Sequence, residues 1–488
     1  MDFFNQVMGG AEDIGAGQVS RNEISRLNNA LRKAATIGYQ TPAGTSGGDA
    51  GTYSPLVAQS IANTGASLSF TNEDLTLWKR APRGKASQPL HEYTVQVAQG
   101  ADMPIFFDEG GVTGTNVTID SRESVRVKYL AEKREVTDVA TTVGLLGVNK
   151  QALARETAMG TIKLLERTER AMFHGDSTIN PKGFDGILKQ VRDRAPGNVF
   201  DLEGSAPTMD MLSEMAHQFG ADGGYARVDT IYVEPRIKGE LIRQQTAAGR
   251  FQNTSITNGT QLTVGIQDIG VMGPYGRIPI VSAPFMNSLS YVPMLADKSA
   301  IRNVGVGDTA FRPTTPTLDV AIAAGANANS KFVAADAGVY RYYVEAVGDK
   351  GLSAIFDSGN ITVAAGDRVT FTIKGDGLSV EPIYYRIYRT LKNGTFSSAT
   401  KIKDVAYSTG VDTAITDDNV TKPGSSSILA IQHIPEVFEW VQLLDLVRRP
   451  LAEVATSKPF MIMQFGTVVV KAPTKCWMID NCTANSTI

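Results

Sequence analysis

Cysteine and histidine are almost missing from this chain, with 2 and 4 among 488 residues. So few thiol and imidazole ligands leave little material for a Cys- or His-rich metal site, and a disulfide-stapled secreted scaffold is excluded by arithmetic. A charge excess is missing too. Lys plus Arg is 47 against 50 Asp plus Glu, a formal net charge of −3. That disfavours a globally basic nucleic-acid binder, though not a local basic patch. The longest apolar runs, such as 278–281 and 468–470, fall far short of the roughly 20 residues of a membrane-spanning helix. The opening MDFFNQVMGGAEDIG has neither a basic n-region nor an apolar h-region, so no signal peptide is expected, and a soluble protein made in a cytoplasm is. No P-loop and no H-E-x-x-H motif occurs.

What is there is globular. Apolar residues make up 42% and charged residues 20%, which argues against disorder across the whole chain. Residues 1–55 are rich in Gly and read as an arm, with one helix expected from Ser20 to about Ala35. Ser20 and Glu23 form a capping box there, and Ile24, Leu27 and Leu31 share a face. Residues 56–134 read as a peripheral strand and an extended β-arm. Tyr93, Val95 and Val97 alternate with polar residues, and so do Val125, Val127 and Tyr129, with Arg126 and Lys128 pointing the other way. Between them lies a Gly-rich tip carrying Phe106 and Phe107, which a two-stranded ribbon cannot bury by itself. The plainer alternative is an ordinary hairpin packed on its own domain.

Residues 135–311 read as a long helix over 135–174, capped by Asn149 inside it and ended by Gly175, followed by an α+β region. There Thr230–Val233 is a buried strand, Pro235 opens a helix, and RIPIVSAPF is a second strand. Residues 312–424 are distinct, with prolines at both ends. Alternation at Tyr340, Tyr342, Val344 and Ala346, at Val369, Phe371 and Ile373, and at Ile383, Tyr385 and Ile387 indicates a β-sandwich. Residues 425–488 return to the main fold with a strand Phe460–Phe465, a tight Gly466 and a strand Val468–Lys471, so 312–424 is an insertion.

Candidate chemistry is thin. Residues 44–48 match G-x-S-x-G without the flanking strand and helix of a nucleophile elbow, and 305–310 match a dinucleotide fingerprint with no helix after it. Asp108-Glu109 and Asp417-Asp418 read as solvated turn residues. His174 reads as a capping or packing group whose protonated form a helix C-terminus favours, and Cys476 and Cys482 as small buried thiols.

The order of parts resembles the major capsid proteins of tailed double-stranded DNA bacteriophages. The most specific local likeness is ERAMFHGD at 169–176 followed by PKGFDGI at 181–187, similar to that family's spine helix and the turn after it. Residues 458–471 resemble its final strands. The insertion resembles a fibronectin type III or immunoglobulin-like domain at 313–318, 338–347, 351–353, 385–389 and 416–418. The resemblance implies an α+β, Hong Kong 97-like capsid fold with N-arm, extended β-arm, spine helix, axial and peripheral domains, and an inserted all-β sandwich. It implies a non-enzymatic shell protein without cofactor or metal, self-associating into hexamers and pentamers of an icosahedral head. Expected partners are scaffolding and portal proteins and packaged double-stranded DNA held non-specifically. The expected place is the virion capsid, assembled in the bacterial host cytoplasm. The residues expected to meet a neighbouring subunit are Phe106, Phe107, Arg122, Arg126 and Lys128. A tail or surface-adhesion protein using the sandwich as a binding module is the alternative.

Overall fold

The computed structural model describes residues 74–142, 152–247, 269–287 and 304–484, apart from positions 99, 102, 104, 113, 222–224, 324–326, 376–377 and 454–455. The expected arm at 1–55, with its helix and the G-x-S-x-G match, lies outside the described residues, as does Asn149.

Two long antiparallel strands, Phe438–Pro450 and Ser457–Val470, centre a four-stranded sheet. Arg83–Lys85 flanks the first and Lys128–Thr137 the second. The helix Ala152–His174 packs on Lys128–Thr137. That strand alternates: Leu130, Glu132, Arg134 and Val136 are the less exposed positions, while Tyr129, Ala131, Lys133 and Glu135 face solvent. Two of the inward residues are charged, and the helix answers them: Arg167 donates to Glu132 at 2.8 Å and Arg134 approaches Glu156 at 3.5 Å. Residues 135–137 are therefore strand, not the expected helix, because Val136 and Thr137 complete the pairing with Lys458 and Ser457.

Gly466 makes no turn either. Ser457–Val470 runs through it as one strand, and a Cβ there would stand 2.3 Å from the Trp440 ring. The glycine lets the indole lie flat on the neighbouring backbone. Trp440 in turn meets Trp78 and Phe184 edge-on, with centroids 5.2 and 5.6 Å away.

A six-stranded sheet is ordered Val199–Asp201, Trp477–Cys482, Ser426–Ile431, Thr230–Val233, Gly276–Ser282, Gly270–Gly273. Its central strands are buried on both faces, and the period of two sorts their side chains between two cores. Tyr232, Leu429, Ile431 and Met478 join Phe173, Trp440 and Leu188. Ile231, Val233, Ile428, Ala430, Trp477 and Ile479 join residues of the helices Met209–Gly220 and Pro235–Ala247. Pro235 opens its helix as expected.

Glu169, which interrupts the apolar face of the long helix, is fully buried. Its Oε1 accepts the backbone N–H groups of Thr76 and Leu77 at 2.9 and 3.0 Å, capping the short helix Leu77–Arg80. Burial, only partly offset by these bonds, raises its pKa above the usual carboxylate value. At the far end, Gly175 is needed for close approach: a Cβ would stand 2.3 Å from the Phe184 carbonyl oxygen.

Within 312–424, the strands Leu318–Ala323, Arg368–Ile373 and Thr413–Asp417 form one sheet. Thr400–Ala406, Tyr384–Arg389, Tyr342–Val347 and Gly351–Leu352 run in order through a second. Val344, Ile387, Phe371 and Ile415 share a core drawn from both. Val306–Gly307 already pairs with Gly351–Leu352, so this sheet takes in chain ahead of 312. Asp417 and Asp418 are not solvated turn residues. Arg389, fully buried, donates to Asp417 at 2.5 Å, the Tyr342 hydroxyl donates to it at 2.7 Å, and Arg368 holds Asp418 at 2.6 and 3.0 Å. Asp417 ends its strand and Asp418 follows it, and each carboxylate meets a different arginine.

Candidate intersubunit surface

The strands Leu90–Ala98 and Ile119–Arg126 pair antiparallel as a two-stranded ribbon, from Leu90 opposite Arg126 to Ala98 opposite Ile119. Val127 lies just beyond the ribbon, and Tyr129 belongs to the four-stranded sheet. Val125, Val127 and Tyr129 therefore do not form one ribbon face, as the alternation suggested. The chain changes sheets between them.

The two ends of the ribbon differ. At its root, Tyr93 and Val125 pack with Ala86, Val127, Val441 and Val469 of the same chain. The Tyr93 hydroxyl donates to Glu123 at 2.7 Å, and Arg194 donates to Glu123 at 2.8 Å and to the Val470 carbonyl at 2.7 Å. Burial, with the bond to Glu123 adding, pushes the Tyr93 phenol up to about 12. The root is thus held by its own subunit, the plainer of the two sequence readings. At the tip, Asn116 bridges the two limbs through both Ala101 backbone groups, at 2.8 and 2.9 Å, and the Gly111 N–H closes a turn on the Asp108 carbonyl at 2.8 Å. Here the apolar side chains are uncovered: Ile105 is 75% exposed, Phe106 88%, Phe107 65% and Val112 93%. Exposure on that scale over one short segment is unusual for a protein that works alone.

The five expected contact residues fall into two groups. Phe106 and Phe107 stand together at the exposed tip. Arg122 lies along the ribbon and pairs with Glu92 of the opposite strand, so its partner is in its own subunit. Arg126 is exposed at the root. Lys128 donates to the Pro181 carbonyl at 2.7 Å, tying the root to the turn after the long helix. Sequence reasoning missed Val112 and the Tyr93–Glu123–Arg194 staple. Tyr93 and Glu123 face each other in register, so aligning the two strands would have exposed half of it.

His174 Nε2 faces the Met286 carbonyl at 2.5 Å. Burial, with the cations Lys401 and Arg170 adding, pushes its pKa down to about 3, so the ring is neutral. The helix terminus does not keep it charged. Burial pushes the Cys476 thiol up to about 12 and raises that of Cys482. Among the described residues no group of three or more His, Cys, Asp or Glu could hold a metal ion, and no helix is long and apolar enough to cross a membrane.

Comparison with known proteins adds the following. The family profile described as SU10 major capsid protein matches residues 39–319. The "Putative major capsid protein" of Enterococcus phage phiEF24C is 25% identical over 427 residues, covering 85% of this chain and 87% of its own. The "Major capsid protein" of Staphylococcus phage K is 22% identical over 427 residues, with the same 85% and 87% covered. Among solved structures, the capsid of a native GTA particle superposes with a TM-score of 0.45 at 9% identity, covering 88% of this chain and 96% of that one.

Proposed function

Since the chain belongs to the SU10 major capsid protein family, we propose that it builds its shell by lending the tip of its ribbon to a neighbouring subunit. Its role is that of a phage major capsid protein, a structural chain that associates with copies of itself in the virion capsid. The finer reading is hexamers and pentamers of an icosahedral, Hong Kong 97-like head around double-stranded DNA. Scaffolding and portal proteins are its partners, and assembly takes place in the host cytoplasm. In this reading 312–424 is an inserted immunoglobulin-like sandwich. The tail or adhesion alternative is not favoured by family membership.

The observation that carries the reading is the contrast along the ribbon: a root fixed to its own subunit and a tip of uncovered aromatic and aliphatic side chains. Burying one such aromatic contributes about 1.5–3 kcal/mol. Replacing Phe106 and Phe107 by Ser should therefore raise the concentration needed for assembly by roughly two to four powers of ten. Because both side chains are exposed in the subunit, its melting temperature should hardly move. Size-exclusion chromatography and negative-stain microscopy of the purified chain read the first effect, and circular dichroism the second. A double variant that forms shells at the usual concentration, or that unfolds as a subunit, overturns the proposal.

A further inference from the structure

The two-sheet unit within 312–424 meets the main fold along a seam that is not packed. None of the apolar clusters among the described residues joins side chains of the unit to side chains of the main fold. Two cavities stand where such a core would be. One, of about 530 Å³, is lined by Leu130, Leu164 and Phe184 of the main fold and by Val347, Ile383 and Tyr384 of the unit. The other, of about 340 Å³, is lined by His174 and Arg192 on the first side and by Lys401 and Asp404 on the second. A protein interior is close-packed, and voids of this size forfeit the contacts that would bind two walls together.

Each wall of the smaller cavity satisfies its own charges. Arg192 donates to Asp480 at 2.8 Å, and Ser427 donates to the same carboxylate at 2.7 Å. Lys401 donates to Asp404 at 2.9 Å. These bonds do not cross the seam, so they survive when the walls part. Closing the seam has a cost instead. Burial lowers the Lys401 pKa, against the raising effect of Asp404. Asp404 Oδ1 and Ser426 Oγ, one on each wall, are buried without a hydrogen-bond partner.

The attachments lie at the two ends of the seam. At one end the chain leaves the unit through Pro423 and Gly424, and Gly424 has a φ of 82°. Beside this exit Lys331 pairs with Glu203 at 2.7 Å, and a Cβ on Gly204 would stand 2.3 Å from the Lys422 stem. At the other end Lys182 of the main fold pairs with Asp349, which lies between the strands Tyr342–Val347 and Gly351–Leu352. Both ion pairs are exposed. We infer that the two-sheet unit swings against the main fold on its Pro423–Gly424 exit, with Lys182–Asp349 as an ionic latch at the mouth of the seam. Val306–Gly307 moves with the unit, because it pairs with Gly351–Leu352. Both halves keep their folds in either position, since no apolar cluster is divided. Ionic strength sets the balance, because an exposed pair weakens as salt screens it. The inference concerns the single subunit and is independent of the assembly reading above.

Chemical labelling of the full-length chain reads the swing. The Lys401 side chain is 13% exposed, while Lys403 faces solvent two residues on. Acylation by an amine-reactive acetyl ester, mapped by mass spectrometry, should modify Lys401 slowly relative to Lys403. Asp349→Lys sets two cations against each other at the latch and should speed Lys401 modification at least about threefold. Salt at about 1 M, where the screening length is about 3 Å, should speed it in the parent chain. Lys182→Glu with Asp349→Lys rebuilds the pair in reverse and should return the rate to within about twofold of the parent. Cys476 and Cys482, fully buried in the main fold, should stay closed to a thiol reagent throughout. The near-ultraviolet circular dichroism of the unit's core tyrosines should not change. If Asp349→Lys disturbs that signal, Lys182→Glu alone makes the same test from the other side of the latch. Lys401 protection that neither the latch variants nor salt lowers overturns the inference. So does Lys401 labelling that comes only together with cysteine labelling or with loss of the tyrosine signal, since that is unfolding.

Discussion

Replacing Asp417 by Ala should unfold the two-sheet unit within 312–424 well before the rest of the chain. Arg389 is completely buried, and its guanidinium reaches Asp417 at 2.5 Å and the Asn419 side-chain oxygen at 2.6 Å. The Tyr342 hydroxyl also depends on Asp417, at 2.7 Å. Removing the carboxylate leaves a cation in the interior without its counter-charge, which costs about 3–5 kcal/mol. A domain of this size has about 5–15 kcal/mol in all. At about 4 °C or more per kcal/mol, the sandwich transition should fall by at least roughly 12 °C. The sandwich core is rich in tyrosine, with Tyr340, Tyr342 and Tyr385 in it, so near-ultraviolet circular dichroism during heating reports its melting. The double variant Asp417→Leu with Arg389→Met removes both charges and should regain most of the loss, because a buried ion pair is worth little over apolar residues of similar volume. A single variant that shifts the transition by less than about 4 °C would refute the reasoning. So would a double variant no more stable than the single one.

Gly466→Ala should destabilise the four-stranded sheet by about 1–3 kcal/mol through overpacking against Trp440. Adding Trp440→Phe should recover part of that in urea denaturation, and an unchanged midpoint for Gly466→Ala would count against the close approach. Glu169 should make stability fall as pH rises. Burial holds its folded pKa above the ordinary carboxylate value of 4.5, so its proton is held more tightly folded than unfolded, and the contribution present below about 4.5 is lost as pH climbs through the folded value. Glu169→Gln keeps an acceptor for Thr76 and Leu77. The stability difference between parent and variant, followed by urea midpoints from about pH 4 to pH 8, should drift against the parent, and the opposite drift would contradict the sign.

Legibility followed whether the deciding neighbour was near in sequence. The alternation of Val369, Phe371 and Ile373 was plain because a sandwich strand has one apolar face, and those three residues are buried in turn. Lys128–Thr137 hid its end because its inward face carries Glu132 and Arg134, whose partners Arg167 and Glu156 lie on a later helix. Gly466 looked like a turn because nothing local says that an indole lies over it. Asp417 and Asp418 looked solvated because the arginines that bury them come from two other strands. At the contact surface, paired phenylalanines among glycines stood out by composition alone. Arg122 and Lys128 could not be assigned that way, since Glu92 and the Pro181 carbonyl become their neighbours only after folding.

The place of the two-sheet unit in the chain also sets a timetable for synthesis. The chain leaves the six-stranded sheet after Gly276–Ser282 and rejoins it only at Ser426–Ile431, with the whole sandwich made in between. Strand Lys128–Thr137 waits still longer for its partner Ser457–Val470, and both cores lack a tryptophan, Trp440 in one and Trp477 in the other, until that late stretch has left the ribosome. The sandwich has its strands in one uninterrupted run, so it can fold while the parent core is still open. Val441 and Val469, on which the ribbon root packs, arrive in the same late stretch. Until then the nascent ribbon root is held only by contacts made earlier, such as Arg194 on Glu123 and Lys128 on the Pro181 carbonyl.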